Sequence, residues 1–254
     1  MKKICIYVLT NSQRGYVEKI IEALTDLVSV DAKLIVSTNT ADNVYRHYLM
    51  DYCTKYGIDL ITHKNCGAKT HAREAYKHCS TDLCMLLHDD DEIYIDAFKA
   101  YINRVIQNPG FASYSCNDKI IIENRLKANN IDDRVNFIPT TFEISLSYLL
   151  NRHFICYPTV IYDTTQLDIN FEDTRFGKYN DALIVLRLVK KGHLFIGTPA
   201  LGYRIHEQQD SAEKNLIKYV LKIFLIGQLT LSIGKVSAFG LSMIYKKLRY
   251  KFVD

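Results

Sequence analysis

At 254 residues with 48% hydrophobic content, the chain has enough apolar mass for one full core, which excludes a disordered tail. Its net charge of +4 is carried at one end: from residue 212 onward seven Lys and one Arg face only Glu213 and Asp254. The remainder lacks a basic stripe with interleaved aromatics, which argues against a nucleic-acid partner, and the seven cysteines (Cys5, Cys53, Cys66, Cys79, Cys84, Cys116, Cys156) have no CxxC pair, which excludes a disulfide framework or zinc-finger spacing and fits a reducing cytoplasm.

In chain order, Ile4 to Leu9 predicts a buried strand rather than a signal peptide, because the apolar run after Met1-Lys2-Lys3 is short and turns polar at Thr10-Asn11-Ser12. Thr10 to Gly15 reads as a loop, and Tyr16 to Leu27 as an amphipathic helix with Val17, Ile20, Ile21 and Leu24 on one face. Ala32 to Val36 is a second strand, Asn43 to Tyr56 a helix stopped by Gly57, and Ile58 to Ile61 a third strand. Gly67 to Cys79 follows as a helix and Leu83 to Leu87 as a fourth strand. This alternation predicts parallel strands with helices on both faces. Ile95 to Ile106 reads as helix, Phe111 to Cys116 as strand, Asp118 to Asn136 as loop with a short helix, Thr140 to Asn151 as helix, and Cys156 to Tyr162 as strand. A polar, glycine-containing segment from Phe171 to Asn180 precedes an apolar helix, Asp181 to Lys191, stopped by Gly192. No stretch approaches the ~18 uninterrupted apolar residues of a spanning helix.

The chemistry gathers where the fourth strand ends, at His88-Asp89-Asp90-Asp91. Adjacent carboxylates raise one another's pKa and cost free energy unless a positive charge sits among them. Oxygen ligands suit Mn²⁺ or Mg²⁺, the latter commonly held by one or two carboxylates together with substrate phosphates. The carboxyl end of a strand is also where open α/β sheets bind ligands. On this reading Asp89 and Asp91 hold the cation directly or through water beside a diphosphate, with the assignment within the triplet open to a shift of one place. The competing reading is helix capping, because Asp90, Asp91 and Glu92 precede the Ile95 to Ile106 helix. Arg14, Lys69, Arg73 and Arg204 are cations that could reach phosphate oxygens, with Arg73 equally suited to pairing with one of the triplet carboxylates.

Taken together, the order of these segments over roughly residues 3 to 211 resembles the family 2 glycosyltransferases. Ile6-Tyr7-Val8-Leu9-Thr10-Asn11 with Arg14 looks like the family's first strand and nucleotide loop, and Gly67 with Ala72-Arg73 like its glycine and alanine-arginine pair. Leu87-His88-Asp89-Asp90-Asp91 looks like its DxD segment, and Asn180-Asp181 with Leu186-Arg187-Leu188 and Gly192 like the acidic motif that supplies a base. Tyr203-Arg204-Ile205-His206 with Ser211 looks like the closing segment over the diphosphate. The resemblance implies an α/β GT-A fold, a Rossmann-like, mainly parallel central sheet flanked by helices, with a C-terminal helical extension. It implies Thr10 and Asn11 as nucleotide-loop residues, His206 as a further metal ligand or phosphate donor, and Asp181 as general base. Read without the family, His206 is equally a loop histidine, and Asp181 an acid placed at a helix start for the dipole. The resemblance also implies Asp90 as a contact to the sugar or ribose of the donor, and Tyr157, Tyr162 or Tyr179 could stack on a sugar face. One departure stands out: Ser37-Thr38-Asn39-Thr40 replaces the acidic pair expected after the second strand, leaving Asn39 as the candidate contact to a nucleobase, although such a Ser/Thr/Asn cluster is equally an ordinary loop.

The organisation expected is a catalytic domain over residues 1–211 and a basic amphipathic extension over 212–254. The extension interleaves apolar runs such as Ile223-Phe224-Leu225-Ile226 with Lys218, Lys222, Lys235, Lys246, Lys247 and Arg249. Such helices can lie on anionic lipid at about 1 kcal/mol per cation, or can pack on the catalytic domain or a partner. The expected function is an inverting, metal-dependent glycosyltransferase of bacterial surface polysaccharide (lipopolysaccharide or capsule) synthesis. It would take a nucleotide diphosphate sugar such as a UDP-sugar to a glycan or lipid-linked acceptor. Its expected place is the cytoplasm, peripheral on the inner membrane face, with a homo-oligomer left open. Other readings are a non-catalytic nucleotide-sugar-binding or scaffold subunit and, more distantly, a nucleotidyl or phosphoryl transferase.

Overall fold

A computed structural model describes residues 3–11, 16–25, 32–122, 125–130, 136–140, 143, 155–166 and 180–205. Arg14, Tyr179, His206, most of the segments 140–151 and 171–180, and the extension 212–254 lie outside the described residues.

The amino-terminal half alternates strand and helix. The elements are β1 (Ile4–Thr10), α1 (Val17–Thr25), β2 (Ala32–Thr38), α2 (Asn43–Tyr56), β3 (Asp59–Thr62), α3 (Ala68–Lys77) and β4 (Leu83–His88). β1 pairs in parallel with β2 and β4, and β2 with β3. The apolar run of β1 is continuous because both faces are covered. Ile4, Ile6 and Val8 pack with the apolar faces of α1 and α2, and Cys5, Tyr7 and Leu9 pack among Ala72 and Ala75 of α3. Helix α2 carries its own punctuation: Asp42 accepts hydrogen bonds from the Val44 and Tyr45 amides, and Gly57 closes the helix at φ 64°.

Beyond β4 come β5 (Glu92–Ile93), α4 (Ile95–Gln107), β6 (Ser113–Ile122), β7 (Arg125–Asn130), β8 (Asn136–Phe137) and β9 (Ile161–Asp163). Helix α5 (Asn180–Lys191) and strand β10 (His193–Ile205) complete the described residues. The sheet runs β3-β2-β1-β4-β9-β6-β10-β5, with β7 on β6 and β8 on β10. β1 to β4 pair in parallel, as do β6 and β10, while β7 is antiparallel to β6 and short β9 is antiparallel to both β4 and β6. This is the mainly parallel, helix-flanked α/β architecture expected from the alternation.

Three expectations change. The polar stretch from Asp118 is not loop with a short helix; it extends β6 to Ile122 and returns as β7, an antiparallel pair. The run from Cys156 is not one strand, because Pro158 sits in a 3₁₀ turn, Tyr157–Thr159, and strand begins only at Ile161. Residues 193–205, read only as a closing segment near their end, form the long strand β10 beside β6.

Candidate functional site

Register brings the site together. β1 and β4 run side by side with Leu9 opposite His88, and β1 and β2 with Thr10 opposite Thr38. Thr10, Asn39 and the acidic run therefore share the carboxyl edge of the parallel strands. Asp89, Asp90 and Asp91 are 7%, 8% and 4% exposed, so the three carboxylates are desolvated as well as adjacent.

They do not cap α4. Its cap residue is Tyr94, which makes no side-chain capping bond, and the acid of its first turn is Asp96. The run is instead held from both sides. Asp89 Oδ2 lies 2.6 Å from the Thr10 hydroxyl, which lies 2.9 Å from the Tyr45 hydroxyl of α2. An ionised carboxylate can only accept, so Thr10 donates to Asp89 and Tyr45 donates to Thr10. Burial raises the Tyr45 phenol well above its usual pKa, which keeps the donor protonated. On the other flank, Asp91 Oδ1 accepts from the Arg204 amide at 3.3 Å, and Arg204 Nε donates to the Asp90 carbonyl at 2.9 Å.

One ligand atom each from His88, Asp90 and Asp91 lies within 4.8 Å of the others. That spacing and donor set fit one divalent cation, with the imidazole favouring Mn²⁺ over the harder Mg²⁺. Burial lowers the His88 pKa, opposed by the Asp90 carboxylate, and this favours the neutral form that binds metals. The sequence reading leaves His88 out of the candidate ligands, although its position at the strand end beside three carboxylates is an available signal. Asp89, read from sequence as a ligand, has its Oδ2 engaged by Thr10.

The remaining candidates divide by position. Asn39 is 3% exposed; its Nδ2 donates to the Cys66 carbonyl, and its Oδ1 has no hydrogen-bond partner among the described residues. A buried, unmet acceptor at the carboxyl edge is what a ligand N–H would satisfy. Asn11 is exposed just past β1, and Lys69 is half-buried in the first turn of α3. Arg73, on α3, is turned toward Glu74, with Nη2 at 2.6 Å and Nε at 2.9 Å from Oε1. Asp181 occupies the first turn of α5. Of the three tyrosines suggested for sugar stacking, Tyr162 is fully buried in the core against Tyr76.

Among solved structures, the chain is similar to S. aureus TarS residues 1–349, with a TM-score of 0.66 and 13% identity over 96% of this chain and 72% of that one. It is similar too to the complex of TarS 1–349 with UDP-GlcNAc, at a TM-score of 0.61 and 14% identity over 95% and 71% of the two chains. The complex with UDP gives 0.63 and 12% over 95% and 70%. At this identity the likeness establishes a shared fold. No protein-family model matches the sequence, and no curated protein matches it either. No helix among the described residues is long and apolar enough to cross a membrane.

Proposed function

We propose that the chain is an inverting, divalent-metal-dependent glycosyltransferase of the GT-A, family 2 type. Its donor is a nucleotide diphosphate sugar, most simply a UDP-sugar, and its acceptor a glycan or lipid-linked saccharide of a bacterial surface polymer. The observation that carries this reading is the cluster of half-buried His88 with buried Asp90 and Asp91 at the carboxyl edge, in a fold shared with a protein crystallised with UDP and UDP-GlcNAc.

His88, Asp90 and Asp91 would hold Mn²⁺ or Mg²⁺, with Asp89 fixed beside them by Thr10 and Tyr45. When bound, such a cation offsets the negative charge that grows on the departing diphosphate. Asn39 Oδ1 would accept from the nucleobase, and Asn11, Arg14 and Lys69 are the residues proposed to bind the phosphates. His206 follows Arg204 in sequence and would reach the same group from the closing segment. Asp181 takes the proton of the acceptor hydroxyl as its oxygen attacks the anomeric carbon. The bond from that carbon to the diphosphate oxygen breaks with its electron pair leaving on the nucleotide, and one such displacement inverts the centre. The basic extension over 212–254 would bring the enzyme to an anionic membrane carrying a lipid-linked acceptor.

Thermal unfolding with a panel of nucleotide sugars, with and without Mn²⁺, tests the donor and metal. A ligand at about 100 times its Kd stabilises by about 2.7 kcal/mol, so a true donor gives a clear, metal-dependent shift. No shift with any of them would overturn the reading. Asp181→Asn should abolish transfer while leaving metal-dependent donor hydrolysis, and equal transfer by wild type and variant removes Asp181 from the mechanism. Donor binding without transfer or hydrolysis would mark a non-catalytic subunit instead.

A further inference from the structure

Arg204 stands where three segments meet. Its backbone lies on β10 just past the pairing of Leu201 with Ile93 and Gly202 with Glu92, which sets it beside the acidic run. Its Nε donates to the Asp90 carbonyl at 2.9 Å, its Nη2 lies 3.6 Å from Glu92 Oε2, and its guanidinium carbon lies 4.6 Å from the centre of the Tyr16 ring. Tyr16 immediately precedes α1 in sequence.

These contacts differ in weight. The Glu92 side chain is 48% exposed and the separation is long, so this ion pair contributes little. The Arg204 side chain is only 12% exposed, so both the charge-assisted bond to Asp90 and the stacking on Tyr16 act away from bulk water. The planar guanidinium can lie flat on a ring and donate in its plane at once, which an ammonium cannot do.

We infer that Arg204 is a positioning residue: braced on the face of Tyr16, it fixes the Asp90 backbone and so aims the Asp90 carboxylate, with Asp91, at the cation. This rests on the cation site proposed above and gives Arg204 a task distinct from direct contact with the donor phosphates. The Asp91 contact comes from the Arg204 main chain and survives any side-chain replacement, so variants here act through Asp90.

The test measures Mn²⁺ affinity of the full chain by electron paramagnetic resonance with UDP present, UDP affinity in EDTA, and thermal unfolding in EDTA. Replacing groups that orient metal ligands typically costs about 10- to 100-fold in metal affinity. Arg204→Ala and Tyr16→Leu should both lose Mn²⁺ affinity by that order with unchanged UDP affinity in EDTA. Tyr16→Phe, which keeps the ring, should match wild type, and Arg204→Lys should recover only part. Wild-type Mn²⁺ affinity in Arg204→Ala overturns the inference, as does an equal loss of UDP affinity in EDTA, which would mark a phosphate ligand. Should Arg204→Ala fail to fold, equal Mn²⁺ affinities for Tyr16→Leu and Tyr16→Phe overturn it. A wild type that takes up no Mn²⁺ removes the cation site itself, and this inference with it.

Discussion

Thr10 carries two demands on one hydroxyl. It accepts from Tyr45 and donates to Asp89, so replacing it with the isosteric Val keeps the volume and deletes both bonds. Thr10 is 2% exposed and Tyr45 1%, and the Tyr45 phenol left behind would be buried without its acceptor. Such an orphan costs about 1–3 kcal/mol, and the lost bond to a carboxylate adds to it. Tyr45→Phe removes only the outer donor and leaves the bond to Asp89, so its cost should be about 1 kcal/mol. The expected outcome by urea unfolding is a loss of about 2 kcal/mol or more for Thr10→Val, a smaller one for Tyr45→Phe, and a double variant little worse than Thr10→Val alone. Additive losses would show that the two hydroxyls act independently.

At the scale of elements, α2 gives the sharpest prediction. Gly57 ends it at φ 64°, donating to the Cys53 and Thr54 carbonyls, and a Cβ added there meets nothing within 4 Å. The cost of Gly57→Ala is therefore conformational: about 1–2 kcal/mol for the left-handed backbone, partly offset by a stiffer unfolded chain. A net loss near 1 kcal/mol is expected, and less for Gly57→Asn, because Asn tolerates this region; the order of the urea midpoints checks it. This helix was legible from sequence because its glycine stop, apolar spacing and cap coincide. The first four strands were legible for a related reason, each being a short apolar run between turn signals. β7 and the far half of β6 were not, because Asp118, Lys119, Arg125 and Lys127 interrupt any apolar pattern in a hairpin whose outer strand, among the described residues, pairs only with β6. β10 hid behind Gly197, Pro199 and Gly202, and the ladder absorbs them by shifting register on either side of Pro199. The acidic run and Asn39 could be found because their neighbours in sequence define them. The braces could not, because Arg204 and Asp90 are 114 positions apart and only the pairing of β5 with β10 brings them together.

Across the whole molecule, buried neutral histidines couple folding to pH. His193 is fully buried at the start of β10, between the Ser113 hydroxyl at 2.7 Å from Nδ1 and the Ser115 hydroxyl at 2.8 Å from Nε2, and burial lowers its pKa from 6.5 to about 3. His71, 4% exposed on α3, shares the Ser37 hydroxyl with His63, and burial lowers its pKa to about 4 with the neighbouring imidazoles of His63 and His88 adding to the shift. In both, the folded state binds its proton less readily than the unfolded chain does. The stability they confer is complete above about pH 6.5 and falls as pH drops from there toward the folded values, because only the unfolded chain takes up protons in that window. At about 1.36 kcal/mol per pH unit, each contributes a loss of about 2 kcal/mol by pH 5. Urea unfolding at pH 7.5 and pH 5 should therefore differ by about 4 kcal/mol from these two groups. His193→Gln should lower stability at pH 7.5 and reduce the loss on acidification by about 2 kcal/mol, the share of this one histidine; an undiminished pH dependence in that variant would exclude His193 from the linkage.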